Sequence, residues 1–283
     1  DRSNEKFKHG LKSLSRAGIE SMVKLARGNK GIPLDHELLD AHPWLLGVKN
    51  GLLDLKSGKL RPATPEDLMM MQCAVAFDPS AECPRWDKAM EEWFPDPEVL
   101  KYVQRVAGSA LVGAQQDHVF IIMYGGGRNG KGTFIRALQR VFGAYATTPH
   151  LSLLTKDSKD HDTVKASLFR CRLAVASETE HRVKLDEASV KNLTGRDRIN
   201  CHRMREDEWE FDPSHSLWLQ TNHLPKISGT DTGIWSRIRV VKWETTFSPE
   251  KQVKDLDETL AGEAPGILNW LLAGCLSWQK PEV

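Results

Sequence analysis

Residues 118–124 read His-Val-Phe-Ile-Ile-Met-Tyr, the near-continuous apolar run of a strand buried on both faces. It leads without a break into Gly125-Gly126-Gly127-Arg128-Asn129-Gly130-Lys131-Gly132-Thr133. Directly afterwards Phe134, Ala137, Leu138, Val141 and Phe142 recur at helical spacing and stop at Gly143. Strand, glycine-rich loop and amphipathic helix, in that order, predict a phosphate-binding loop. Glycines let backbone N–H groups wrap an anion, and the helix N-terminus adds its positive end. Gly125, Gly127, Arg128, Asn129, Gly130, Lys131, Gly132 and Thr133 are therefore the expected ATP-binding residues, with Lys131 reaching the β- and γ-phosphates. One position departs from the pattern. The hydroxyl that normally ligates Mg2+ directly follows the lysine, and that place is Gly132; Thr133 is the candidate oxygen ligand if the loop register differs, and a water filling the gap is the alternative.

Such a loop needs an acidic partner on a neighbouring strand, to hold the metal and orient the attacking water. Arg172-Leu173-Ala174-Val175-Ala176 reads as a short strand ending in Ser177-Glu178-Thr179-Glu180. A period of two puts Glu178 and Glu180 on one side, so Glu178 is the first choice for catalysis and metal binding and Glu180 the second. A third strand, Ser216 to Thr221, ends in Asn222, whose amide at a strand tip can sense the γ-phosphate. Arg237 and Arg239 stand at the entrance of a further strand. Arg237 is the better candidate for an arginine finger serving a neighbouring subunit, the alternative being an ion pair with the Asp231 region. Between these elements, Ile199/Cys201 and Trp209/Phe211 alternate around a charged tip, which predicts a β-hairpin. Its His202, Arg203 and Arg205 are the expected DNA contacts, unless the arginines pair with Glu206, Asp207 and Glu208 instead.

Short apolar runs alternate with helical patterns from His118 onward, which predicts an α/β domain with a largely parallel sheet over residues 116–283. Residues 1–115 predict a mainly helical N-terminal domain carrying a small β patch, with the boundary near residues 112–117. In that domain Leu11, Leu14, Ile19, Met22, Val23 and Leu25 mark one or two helices broken at Gly28-Asn29, and turns at Asn50-Gly51 and Ser57-Gly58 mark the β patch. Four prolines between residues 78 and 97 punctuate a short Trp-bearing helix, and a second helix follows from about Glu98 to Leu111. A net charge of only +1 over 283 residues argues mildly against a protein that simply coats DNA, and any nucleic-acid binding must come from a local basic feature. Five scattered cysteines without a CxxC pair argue against a structural zinc site and suit a reducing, cytoplasmic compartment. No apolar run is long enough for a membrane span. The chain opens at Asp1 in a charged, helix-like stretch, as an excised piece of a longer protein would.

In their order, Gly125 to Phe134, Val175 to Glu180, Leu193 to Asp197, Leu217 to Pro225 with its Thr-Asn-His-Leu-Pro core, and Ile234 to Val241 form a recognisable set. Asn50 to Leu55 and Gly262 to Trp270 add to it. The set resembles the helicase part of phage and plasmid primases, the branch of superfamily 3 that includes the poxvirus primase-helicase, over about residues 45–275. The resemblance implies an AAA+-like P-loop ATPase core with ATP and Mg2+ as cofactors. It also implies a homo-oligomer, usually a hexameric ring moving 3′ to 5′ on single-stranded DNA, and a primase on a preceding segment. By the same resemblance Lys131 binds phosphate, Glu178 does the acidic work, Asn222 is the sensor, Arg237 the finger given to a neighbour, and residues 202–205 the pore loop. The competing expectations are an ATP-driven DNA initiator or loader without unwinding, and a small-molecule kinase.

Overall fold

The computed structural model describes residues 2–155, 161–178, 184–202, 207–229, 231–248, 250 and 253–280. The chain forms two compact units, residues 1–39 and 40–283. In the first, α1 (Arg2–Ser13) and α2 (Arg16–Ala26) are separated by Ser15, whose side chain accepts from Gly18 N and caps the second helix. Phe7, Leu11, Leu14, Met22 and Leu25 are exposed on these helices and their junction.

The second unit opens with an antiparallel sheet of β1 (Leu45–Val48), β2 (Gly51–Asp54) and β3 (Lys59–Arg61), the predicted β patch. Gly58 takes φ +69 in its second turn, a left-handed conformation that glycine adopts without strain. Helices α3 (Pro84–Trp93) and α4 (Pro97–Ser109) follow, each with a proline in its first turn, where a missing N–H costs nothing.

The sheet that carries the loop has five strands: β4 (Phe120–Tyr124), β5 (Ala146–Thr147), β6 (Leu173–Ser177), β9 (Ser216–Thr221) and β10 (Ile238–Lys242). All pair in parallel, in the order β10-β4-β9-β6-β5. β4 is thus an interior strand beside the edge strand β10, and β9 is the middle one. The connections contain α5 (Lys131–Phe142), α6 (His161–Lys165), α7 (Glu187–Leu193), the hairpin β7 (Ile199–Cys201) and β8 (Trp209–Phe211), and α8 (Thr232–Trp235). Helices α9 (Leu256–Gly262) and α10 (Ala264–Trp278) end the described chain.

Side-chain alternation along the strands divides the core in two. Ile121, Met123, Val175, Trp218 and Val241 face one cluster with α3, α4, α5 and α10. Phe120, Ile122, Ala174, Ala176, Leu217 and Leu219 face the other, with α7 and the hairpin. The first cluster is knit by aromatic stacking of Trp86 on Phe134 (5.6 Å) and of Phe134 on Trp218 (6.2 Å).

The boundary expected near residues 112–117 falls inside the second unit, because α4 packs along α10 and both share a core with the sheet. A fully buried cation adds to the tie. The Arg172 guanidinium donates to Leu111 O and Leu45 O and lies 4.4 Å over the Tyr145 ring. The Tyr145 hydroxyl in turn donates to Met71 O at 2.9 Å and accepts from Gly47 N at 3.1 Å.

Candidate functional site

Parallel sheets gather their strand ends on one rim, and ligands lie there, where the strand order reverses. Register brings Tyr124 level with Thr221 and Ser177 level with Gln220, so Gly125, Glu178 and Asn222 emerge at the same rim beside the central strand. The loop adopts left-handed backbone at Gly127 (φ +96), Arg128 (φ +50) and Gly130 (φ +88), which a run of ordinary residues would resist. A Cβ at Gly126 or Gly127 would meet nothing within 4 Å, so open space borders the loop at both residues. At Gly130 a Cβ would lie 2.2 Å from Trp93 Nε1: the indole buttresses the loop from behind. Asn129 Nδ2 donates to Trp243 O at 3.2 Å, and Phe247 N donates to Arg128 O at 3.1 Å. The stretch after β10 and helix α3 therefore hold the loop, and neither Trp93 nor Trp243 has a sequence signature of that task.

Lys131 is only 3% exposed. Its ammonium donates to Gly125 O, to Asn129 Oδ1 at 3.3 Å and to Asn222 Oδ1 at 3.3 Å. All three acceptors are neutral, and burial pulls the lysine below its usual pKa. Among the described residues the ammonium is served by neutral oxygens, and a buried cation so served lacks the anion that would compensate its desolvation. The open loop and this ammonium fit a phosphate group.

Asn222 thus meets Lys131 as expected from its strand tip. Glu178 stands one strand further on. Its backbone N donates to Gln220 O at 2.9 Å, and its carboxylate accepts from the Thr221 hydroxyl. Thr221 is buried and sits between Glu178 and Asn222, a linking residue that a strand-end threonine does not announce. Among the described residues no group of three or more His, Cys, Asp or Glu side chains stands ready for a metal. The Glu178 carboxylate at this rim suits Mg2+, which keeps waters and binds through few protein oxygens. Thr133 lies on the first turn of α5, and its hydroxyl accepts from Arg136 Nη2 at 3.1 Å. Glu180 lies outside the described residues. A cavity of about 460 Å3 borders the loop, lined among others by Arg128, Gly130, Thr133, Trp93, Phe247 and Asp257.

Arg237 is at the opposite rim. Its carbonyl accepts from Phe120 N, the first residue of β4, so the length of a strand, roughly 16 Å at about 3.3 Å per residue, separates it from its own loop. Its guanidinium donates to Thr194 O (3.0 Å), Thr194 Oγ1 (3.1 Å) and Gly233 O (3.2 Å). It therefore does not join the cluster around Lys131. The Asp231 carboxylate pairs with Lys191 at 2.8 Å rather than with Arg237. Arg239 is exposed and donates to the carbonyls of Ser236 and Ile238. The predicted hairpin is present, with Ile199 opposite Phe211 and Cys201 opposite Trp209. His202 lies at its end, 3.5 Å from Thr163 Oγ1, while Arg203 and Arg205 lie outside the described residues.

A family model described as "D5 N terminal like" matches residues 2–95, and one described as "Family of unknown function (DUF5906)" matches residues 123–237. Among curated proteins, "Putative helicase 184R" of Invertebrate iridescent virus 6 is 26% identical over 251 residues, covering 84% of this chain and 26% of that protein. A "Putative primase" of African swine fever virus (strain Badajoz 1971 Vero-adapted) is 24% identical over 224 residues, covering 75% of this chain and 23% of its own length. The chain thus spans about a quarter of the length of these relatives. In fold it is similar to the A form apo structure of the NrS-1 C terminal region, with a TM-score of 0.62 at 12% identity, over 91% of this chain and 60% of that one. No described helix is long and apolar enough to cross a membrane. The fold is α/β with a parallel five-stranded sheet, and the similarity is to viral proteins that carry the names "Putative helicase" and "Putative primase".

Proposed function

We propose that this chain, similar to the primase and helicase proteins of large DNA viruses, is the ATP-hydrolysing motor of a replicative primase-helicase. It would bind single-stranded DNA, assemble as a ring of six copies and translocate 3′ to 5′. The observation that carries this reading is the buried Lys131 ammonium, held by neutral oxygens at the rim where Asn222 and Glu178 converge.

In this reading the loop backbone and Lys131 hold the β- and γ-phosphates, and the helix α5 N-terminus adds its dipole. Asn222 already touches Lys131, so a γ-phosphate arriving there is felt at the tip of β9. Glu178 orients the attacking water and accepts its proton, with Thr221 fixing the rotamer of the carboxylate. Glu178 is also the carboxylate for Mg2+, with Thr133 as a second oxygen, and the ion would neutralise charge on the transferred phosphoryl group. Glu180 is held in reserve for the acidic role. Arg237, a strand's length from its own loop, serves the nucleotide of an adjacent subunit in this reading. His202 and the hairpin residues Arg203 and Arg205 are the proposed DNA contacts.

The deciding experiment is ATP hydrolysis with and without single-stranded DNA, in the unaltered protein and in Lys131→Ala. Stimulation by DNA, lost in the variant, is the expected result. Lys131-dependent hydrolysis that ignores DNA favours an initiator or loader, a DNA-binding ATPase without unwinding. Hydrolysis that survives in Lys131→Ala defeats the site assignment.

A further inference from the structure

The Gly132 position is occupied by something other than a hydroxyl. A Cβ built there would lie 3.0 Å from Arg136 Nη1, so the guanidinium fills the space in which a metal-ligating serine or threonine would begin. Arg136 is one helical turn further along α5 and shares the face of Gly132. Its Nη2 donates to Thr133 Oγ1 at 3.1 Å and to Asp257 Oδ2 at 2.7 Å, and its Nε reaches the same carboxylate oxygen at 3.2 Å. Asp257 belongs to the first turn of α9 and lines the cavity beside the loop, as Thr133 does.

Both partners are about half exposed, 57% for Arg136 and 43% for Asp257. Such a pair is screened by water and easily exchanged for a better one. A phosphate oxygen pair carries more charge than one carboxylate and accepts from a guanidinium at two points. The β- and γ-phosphates bound at Lys131 would lie next to the Gly132 notch, because the missing hydroxyl is the group that serves their metal.

We propose that Arg136 is a triphosphate-binding residue, kept beside the loop by Asp257 until a nucleotide arrives and admitted to it by the absence of a side chain at Gly132. The inference rests on the ATP reading above. When the guanidinium turns to the phosphates, it leaves both the Thr133 hydroxyl and the first turn of α9. The Gly132 departure is thus an exchange of one phosphate-facing group for another.

The test is equilibrium binding of ADP and of a non-hydrolysable ATP analogue to the unaltered protein, Arg136→Gln, Asp257→Asn and Lys131→Ala. Arg136→Gln is expected to weaken the triphosphate analogue by about tenfold and ADP by less, the loss of one charge-assisted contact. Asp257→Asn is expected to strengthen the analogue severalfold, since it removes the competitor. If the pair were only a strut between α5 and α9, both substitutions would act in the same direction, or on neither ligand, and the proposal would fall. Lys131-dependent binding that is indifferent to Arg136 overturns this inference alone. Failure of the unaltered protein to bind either nucleotide overturns the ATP reading, and this inference with it.

Discussion

Burial pushes the His215 imidazole down to about 4 from an ordinary 6.5, because a charged ring in the sheet interior has no water to solvate it. The sign follows from proton uptake. Between pH 6.5 and 4 the unfolded chain binds a proton at this position and the folded chain does not, so stability falls as the pH falls through that window and levels off below it. The loss is on the order of 3 kcal/mol. Urea denaturation at pH 7 and at pH 4.5 should show it, and His215→Leu should flatten the dependence. An unchanged slope in that variant would mean that other groups carry the acid sensitivity. Residues of this kind divide into those legible in the chain and those that are not. Lys131 was legible because loop, lysine and helix are contiguous, and Glu178 and Asn222 because each follows an apolar run. Trp93, Thr221 and Arg136 escaped notice because their meaning is a contact: an indole against Gly130, a hydroxyl on Glu178, a guanidinium over Gly132.

Helices α4 and α10 approach closely, glycine against glycine. A Cβ on Gly108 would lie 2.2 Å from Cys275 N, and one on Gly274 would lie 2.1 Å from Gln104 O. Either alanine must push two backbones apart, so Gly274→Ala should cost about 1–3 kcal/mol or more in thermal or urea unfolding. Gly262, at the end of α9, has nothing within 4 Å of its Cβ position. Gly262→Ala should be neutral or stabilise by up to about 1 kcal/mol through helix propensity. Equal effects of the two substitutions would mean that the helices slide freely at their crossing. Periodicity announced β4, α5, β6, the hairpin, β9 and β10, since each carries its own apolar pattern. It could not announce that α4 belongs with α10, because α10 is apolar almost all round and its sequence favours no one partner face. Nor could it give β5, whose two residues are too few to show an alternation.

For the proposed ring, the placement of Arg237 at the rim opposite its own loop makes a prediction about mixtures. Arg237→Ala should retain nucleotide binding yet lose turnover by about 10³-fold or more, the usual worth of an arginine finger. Lys131→Ala should lose binding. Mixing the two inactive variants builds some sites from an intact Lys131 on one copy and an intact Arg237 on the next, so a fraction of the ATPase activity should return. Arg237 also bonds Thr194 and Gly233 within its own chain, and if that support were its whole contribution no activity would return on mixing. The order of strands has a further consequence, one that concerns the birth of the protein. β4 finds its two neighbours only at Leu217 and Ile238, and 238 − 120 is 118 residues of chain still to be made when Phe120 is joined. A ribosome adding about 5–20 residues per second leaves the strand without its second edge partner for about 6–24 s. Throughout that interval Phe-Ile-Ile-Met-Tyr, apolar on both faces, is the stickiest ribbon on the nascent chain. The loop that follows it acquires its shape only when translation has passed Trp243, whose carbonyl holds Asn129. The loop around Lys131 therefore takes its shape long after its own residues are joined, and a chain halted before Trp243 lacks it.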